Sequence, residues 1–106
     1  MYKSIRCFAL GGFAVVASVL TVAVTAIAVN PETYQNVATG FCLDSNAARQ
    51  VYTLGCNGGS YQKWTVSTSG SARVFRNVAT GFCLDSNAAR QVYTLGCNGG
   101  SYQKWR

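Results

Sequence analysis

Few side chains in this sequence could do acid–base or nucleophilic chemistry. The chain has no histidine, which removes the usual catalytic triads and histidine metal sites. After residue 28 the only carboxylates are Glu32, Asp44 and Asp85. Asp44 and Asp85 could formally act as a glycosidase pair, but acid and base roles need environments that move two pKa values apart. Both aspartates have the same sequence surroundings, so we predict that the chain is not an enzyme and uses no cofactor.

Four cysteines form the second reactive group. Cys42 and Cys56 lie fourteen positions apart, and so do Cys83 and Cys97. Four cysteines allow three pairings, and the hairpin-like spacing and its repetition favour one disulfide within each pair. Closing a loop of this length stabilises the fold by about 3 kcal/mol if the gain is entropic. The alternative, a four-cysteine zinc site, calls for short C-x-x-C spacings that are absent, so we predict no metal site.

The element that positions these residues is a repeat. When the chain is aligned with itself so that Asn36 meets Asn77, the segments Asn36–Trp64 and Asn77–Trp105 are identical at every position. We call these two identical segments the first copy and the second copy. A period near 40 with glycine-rich turns, no helical periodicity and many Val, Thr, Tyr and Phe residues is typical of a β unit stacked on copies of itself.

Each unit is predicted to contain four short strands separated by turn residues. In the first unit we expect strands at Tyr34–Val37, Phe41–Leu43, Val51–Cys56 and Gln62–Val66. Thr39-Gly40, Asn57–Ser60 and the polar run Ser67–Ser71 supply the turn signals. We place the first unit at residues 34–74 and the second at 75–106, where the last strand has no counterpart of Thr65 and Val66.

Residues 1–28 have the composition of a secretory signal peptide. Lys3 and Arg6 precede an uncharged run from Phe8 to Ala28, and Ala26-Ile27-Ala28 matches a cleavage site. Cys7 would leave with this segment. We therefore expect a secreted chain that begins at Val29, with membrane attachment only if the segment stays uncleaved as an anchor.

The charge pattern of residues 29–106 is mildly basic. Seven lysines and arginines against three carboxylates give a formal net charge of +4. The basic residues are spread singly, which favours a solvated surface over a stripe for nucleic acid. This part of the chain is long enough for one small domain, which would need disulfides for comfortable stability.

The motifs of each copy resemble those of the ricin-type β-trefoil lectin family. The similarity lies in Cys42-Leu43-Asp44, then Cys56-Asn57-Gly58-Gly59, then Gln62-Lys63-Trp64, all of which recur in the second copy. The resemblance covers nearly all of residues 29–106. It implies an all-β, partial β-trefoil of two four-strand repeats in which Gln62, Trp64, Gln103 and Trp105 are core residues.

The resemblance also implies a shallow sugar pocket in each unit. Its acidic residue would be Asp44 or Asp85, which accepts hydrogen bonds from sugar hydroxyls. The family places an aromatic residue two positions before the second cysteine, where this sequence has Leu54 and Leu95. Strand alternation puts Tyr52 and Tyr93 on the same side as these leucines, so the tyrosines could replace the missing ring. Tyr61 and Tyr102 occupy a position where the family often has asparagine.

The count of units is short by one, because a β-trefoil closes with three and this sequence has two. Two units leave open strand edges and a half-covered core. We expect a carbohydrate-binding module for galactose- or xylan-type glycans, weak and multivalent through two like sites. The alternative is a structural fragment from a truncated gene that binds no sugar and self-associates to complete the trefoil.

Overall fold

The computed structural model describes residues 30–106. The predicted signal peptide and Cys7 therefore lie outside the described residues, and the expectation of cleavage remains a prediction. Between residues 30 and 106, no helix is long and apolar enough to cross a bilayer.

The described chain is built from six short strands and two single 3-10 turns, which confirms the all-β prediction. The strands are β1 (Cys42–Ser45), β2 (Val51–Leu54), β3 (Trp64–Ser69), β4 (Ala72–Asn77), β5 (Cys83–Ser86) and β6 (Val92–Leu95). The 3-10 turns are Ser60–Gln62 and Ser101–Gln103, at the same place in each copy. Strands β1 and β2 form a two-stranded sheet, and β3-β4-β5-β6 form a four-stranded sheet in that order.

Antiparallel pairing between consecutive strands produces this topology. β1 pairs with β2 from Cys42↔Leu54 to Ser45↔Val51, and β5 pairs with β6 in the equivalent register of the second copy. The longest ladder joins β3 to β4, from Trp64↔Asn77 to Ser69↔Ala72. Gly70, with a φ of 62°, turns the chain between these two strands because glycine adopts a left-handed backbone without steric cost. The boundary that we placed at residues 74/75 falls inside β4.

The predicted strands Phe41–Leu43 and Val51–Cys56 are observed with shifted ends, as β1 and β2, and the other two strands predicted for the first unit differ more. The expected strand Tyr34–Val37 is only an isolated bridge at Gln35, followed by a turn. The Asn36 side chain causes this turn, since its Oδ1 accepts hydrogen bonds from the backbone N–H groups of Ala38 and Thr39. The last strand begins at Trp64, not at Gln62, and continues to Ser69 because β4 pairs with the serine- and threonine-rich run that we expected to be a turn.

The buried core is small and includes one cysteine of each disulfide. Cys42–Cys56 and Cys83–Cys97 are bonded as the spacing predicted, and each closes the end of a hairpin. The buried apolar residues are Cys42, Trp64, Ala72, Cys83 and Leu84. Several polar side chains are buried with them, so their hydrogen bonds must be made inside the protein.

Candidate functional site

Asp44 lies on β1, and its carboxylate accepts a hydrogen bond from the side chain of Gln62. The carboxylate is almost fully buried, and its Oδ2 accepts a hydrogen bond from Gln62 Nε2 at 2.9 Å. The same amide nitrogen donates to the carbonyl of Gly55 at 3.0 Å, and Gln62 Oε1 accepts from the backbone N–H of Asn57 at 2.9 Å. Gln62 thereby fixes the aspartate relative to the chain on both sides of Cys56.

The second carboxylate oxygen of Asp44 is left for another partner. Within residues 30–106, Asp44 makes its side-chain hydrogen bond through Oδ2 alone. Oδ1 of Asp44 is not fully buried. Within that range, the hydroxyl oxygen of Thr94 is the one fully buried side-chain N or O atom that lacks a hydrogen-bond partner. A rigid acceptor with a free oxygen can take a hydrogen bond from a ligand hydroxyl.

A cleft of about 550 Å³ opens beside Asp44. Its walls bring together all four residues that the sequence placed at the first site, namely Asp44, Tyr52, Leu54 and Tyr61. Tyr52 and Leu54 come from β2, where alternate residues share a side of the strand, and Tyr61 comes from the 3-10 turn. Leu54 and Tyr61 are about half exposed, at 49% and 46%, so their apolar surfaces face the cleft and solvent.

Two asparagines that the sequence analysis did not place at the site also line this cleft. Asn46 follows β1, and Asn57 follows the second cysteine. Asn46 Nδ2 donates a hydrogen bond to Gln50 Oε1 at 2.9 Å, which closes the loop between β1 and β2. Asn57 Oδ1 accepts from the backbone N–H of Gly59 at 2.8 Å. The signal for both was their position in turns at the ends of strands, where loop side chains surround a site.

The second copy repeats the internal geometry of the site. Gln103 Nε2 donates to Asp85 Oδ2 at 2.9 Å and to the carbonyl of Gly96 at 3.0 Å. Tyr93 and Leu95 lie on β6 as Tyr52 and Leu54 lie on β2. Tyr102 is 65% exposed, more than its counterpart in the first copy.

The two tryptophans support the sites from inside but are not equally buried. Trp64 Nε1 donates to the carbonyl of Leu43 at 3.2 Å, and Trp105 Nε1 donates to the carbonyl of Leu84 at 3.1 Å. Trp64 has no exposed surface, whereas Trp105 is only half-buried, which corrects the expectation of two buried tryptophans. Trp64 is enclosed because it is part of the β3–β4 ladder, while Trp105 makes only an isolated bridge to Arg73.

The donor set gives no sign of metal chemistry in the described part of the chain. From residue 30 onward, no three His, Cys, Asp or Glu side chains lie close enough together to hold a metal ion. The cleft at Asp44 offers one carboxylate, tyrosine and leucine surfaces, and amide groups, which is an arrangement for binding an uncharged polar molecule. At Asp85 the hydrogen bonds to Gln103 are the same.

Comparisons with known proteins agree with this architecture. The ricin-type β-trefoil lectin domain model matches residues 31–106. The crystal structure of ThreeFoil, a designed 3-fold symmetric protein, superposes with a TM-score of 0.64 at 24% identity, over 70% of this chain and 61% of that one. This likeness shows the fold, and covering 61% of a threefold protein fits two units out of three. With its partial trefoil and a family match over most of its length, the chain belongs to the ricin-type β-trefoil lectin domain family.

Proposed function

We propose that this chain is a secreted carbohydrate-binding module that binds galactose- or xylan-type glycans at Asp44 and Asp85. The observation that carries the proposal is the cleft of about 550 Å³, which is lined by Asp44, two tyrosines and a leucine. One carboxylate oxygen of Asp44 accepts a hydrogen bond from Gln62, and the other is left for a ligand. Sugars present hydroxyl groups on one side and C–H surface on another, and this lining offers a partner for each.

Binding at a single site is weak under this proposal. The cleft is open, and Leu54 stands where an aromatic ring would stack on the sugar, so Tyr52 or Tyr61 must supply the flat surface. Two like sites on one chain compensate, because binding at the second site becomes intramolecular once the first is occupied. The natural partner is therefore a polysaccharide that repeats the same sugar along its length.

The proposed location is outside the cell. Two disulfides in a small β domain are typical of oxidising compartments, and the predicted signal peptide would direct export. Nucleic acid is not a proposed partner, and membrane attachment follows only if the N-terminal segment is retained.

The decisive experiment replaces both aspartates with asparagine. In Asp44→Asn with Asp85→Asn, the amide oxygens can still accept from Gln62 and Gln103, while an NH2 group replaces the free oxygen. Losing one hydrogen bond to a charged acceptor at each site should weaken binding about tenfold or more. Binding would be measured on an array of galactose-terminated glycans and by xylan pull-down.

The matched control is Val37→Ala, because Val37 is fully exposed and lies outside the cleft. It should bind glycans as the wild-type chain does, and circular dichroism should show the same fold in all three proteins. If the asparagine variant folds and keeps wild-type affinity, the aspartates are not the sugar site. If the wild-type chain binds none of these glycans, the chain is not a lectin for them.

A second candidate function is that of a structural fragment that self-associates and binds no sugar. The observation that favours it is the unequal burial of the two copies, since residues that are buried in one copy are exposed in the other. Glycan binding by the wild-type chain separates the two functions, because a purely structural fragment would bind no glycan at any concentration.

A further inference from the structure

A further cleft, of about 340 Å³, lies beside the hairpin of β3 and β4. It shares no lining residue with the cleft at Asp44. Its walls include Thr65 and Ser67 from β3, Val74 and Arg76 from β4, and the disulfide Cys83–Cys97. We call it the Arg76 cleft. A concave site of this size is large enough to hold a small organic molecule.

The strand register explains why these side chains meet on one face of the sheet. Thr65 lies opposite Arg76, and Ser67 lies opposite Val74. Directly opposed residues of an antiparallel pair point to the same side, and so do alternate residues along one strand. Arg76 also lies opposite Cys83 on β5, which brings the second disulfide to the same face. The cleft is therefore formed by the regular part of the sheet.

The opposite face of β4 is occupied by an aromatic pair. Phe75 lies between Val74 and Arg76 along the strand, so its side chain points away from the cleft. The ring of Phe75 meets the ring of Tyr34 edge to face, with 5.4 Å between the ring centroids. The strand itself therefore separates the Arg76 cleft from this ring pair.

The guanidinium group of Arg76 is held in place along one edge. Its Nε donates a hydrogen bond to the carbonyl of Gly81 at 3.1 Å. Nη2 lies against the same turn, since a Cβ at Gly81 would meet it at 3.3 Å. Within the described residues, the side chain of Arg76 makes its hydrogen bond through Nε, so the two Nη groups are left for another partner. A planar guanidinium can bind both oxygens of a carboxylate through such a pair of nitrogens.

The equivalent position of the first unit shows that the turn does not require this charge. Gln35 stands there, directly before the first copy, and its Nε2 donates to the carbonyl of Gly40 at 2.7 Å. A neutral amide and a charged guanidinium thus make the same hydrogen bond to equivalent carbonyls. The positive charge and the two Nη groups of Arg76 are therefore additional to what this turn needs.

The rest of the lining determines which kind of anion would fit. Val66, Val74 and the disulfide supply apolar surface. Among residues 30–106, none of those that line this cleft is acidic, so no neighbouring carboxylate competes for the guanidinium. An inorganic anion would pair with Arg76 but would leave the apolar surface uncovered. A carboxylate with a compact apolar body would use both parts of the cleft.

We propose that the Arg76 cleft binds a small organic carboxylate. The carboxylate pairs with the Nη groups of Arg76, and the apolar body packs against Val74 and the disulfide Cys83–Cys97. Within residues 30–106 the site belongs to the second unit, since the first unit has a neutral glutamine at the equivalent position. The inference does not depend on sugar binding, because this cleft and the cleft at Asp44 have no residue in common.

The test is a titration of the full, disulfide-bonded chain, labelled with 15N, with benzoate. Benzoate combines a planar carboxylate with a compact apolar ring. Amide chemical shifts should change in a saturable way, and the changes should be concentrated in β3, β4 and the start of β5. Benzamide has the same shape without the charge, and acetate has the charge without the ring. Each should bind at least about tenfold more weakly than benzoate.

The informative variant is Arg76→Gln, which gives the second unit the residue that the first unit already has. It should fold, because the Gln35 side chain makes the equivalent turn bond. It should lose at least about tenfold in affinity for benzoate, because the charged partner of the carboxylate is gone. The matched control is Arg90→Gln, which removes the same charge at an exposed position outside the cleft. This control should bind benzoate as the wild-type chain does.

Three results would overturn the inference. The first is a wild-type chain whose amide shifts do not saturate with benzoate, and the second is a folded Arg76→Gln variant that keeps the wild-type affinity. The third is acetate that binds as tightly as benzoate, which would show that the apolar lining plays no part and that only an adventitious anion is bound. Since Arg76 lies outside the cleft at Asp44, glycan binding by Arg76→Gln tests the proposed function separately and should be unchanged.

Discussion

The two identical copies of this chain differ in what surrounds them and not in how they fold. The aspartate–glutamine bond is 2.9 Å in both, and the tryptophan–carbonyl bond is 3.2 Å in one and 3.1 Å in the other. Burial differs much more, since Asn77 and Thr94 are completely covered while Asn36 and Thr53 are exposed. Local geometry is therefore set within a copy, and burial is set by the neighbouring copy.

The largest effect should come from removing Trp64, the bulkiest of the fully buried side chains. Truncating a buried tryptophan costs about 3–5 kcal/mol, so Trp64→Ala should leave the chain largely unfolded. Trp105→Ala should cost roughly half as much, because Trp105 is only half-buried. Urea unfolding followed by circular dichroism measures both. Equal losses would show that the difference in burial does not determine how much each tryptophan contributes to stability.

Asparagine-to-aspartate changes at the two equivalent turns should have unequal effects. Asn77→Asp removes the bond to the Tyr61 carbonyl and buries a charge beside that oxygen, which should cost about 1–3 kcal/mol. Asn36→Asp keeps the turn bonds at an exposed position, so the free energy of unfolding should change by less than about 0.5 kcal/mol. Denaturant unfolding at low protein concentration is the measurement. A destabilised Asn36→Asp variant would contradict the comparison.

Thr94 gives a smaller effect of opposite sign. Within residues 30–106 its hydroxyl oxygen is buried without a hydrogen-bond partner, although its backbone N–H is bonded to the Arg49 carbonyl. Thr94→Val replaces the hydroxyl with a methyl group of similar size and should stabilise the fold by about 1 kcal/mol. Thr53→Val, at the exposed equivalent, should change the thermal midpoint much less. A lower midpoint for Thr94→Val would indicate that the hydroxyl has a bonding partner in solution.

The smallest effect concerns the ring pair Tyr34 and Phe75, of which only Tyr34 titrates. Partial burial, together with the hydrogen bond from its hydroxyl to Glu32, raises the pKa of Tyr34 from 10.0 to about 12. The folded state holds the phenolic proton more tightly than the unfolded state does. The stabilisation is therefore complete below pH 10 and is lost as pH rises towards 12.

Ultraviolet titration of phenolate measures this shift. The wild-type titration should contain a late phase that is lost in Tyr34→Phe. The stability advantage of wild type over the variant should also decline between pH 10 and pH 12. A wild-type curve without a late phase would show that the tyrosine hydroxyl is freely solvated.

The repeat and the disulfides could be predicted from the sequence because each depends on residues within one copy. The resemblance to the lectin family supplied Asp44, Tyr52, Leu54 and Tyr61, four of the residues that line the first cleft. The strand structure of Ser67–Ser69 could not be predicted, because serine and threonine are typical of a turn. Only the pairing with β4 makes this segment a strand. The hydrogen bond from Gln62 to Asp44 was missed because the resemblance identified Gln62 only as a core residue and did not indicate which polar group its amide meets. The unequal burial of identical residues could not be predicted either, because the two copies have the same sequence and differ only in their neighbours.

The hydrogen bonds from Asn77 and Val78 to the carbonyls of Tyr61 and Lys63 have a consequence for how such a gene can evolve. One further in-frame copy, joined by the same short turn, would meet the carbonyls of Tyr102 and Lys104 with donors that already fit them. Recombination between two identical stretches can add such a copy in one event. The number of binding sites can therefore increase by gain of a repeat alone, without any new substitution to create an interface.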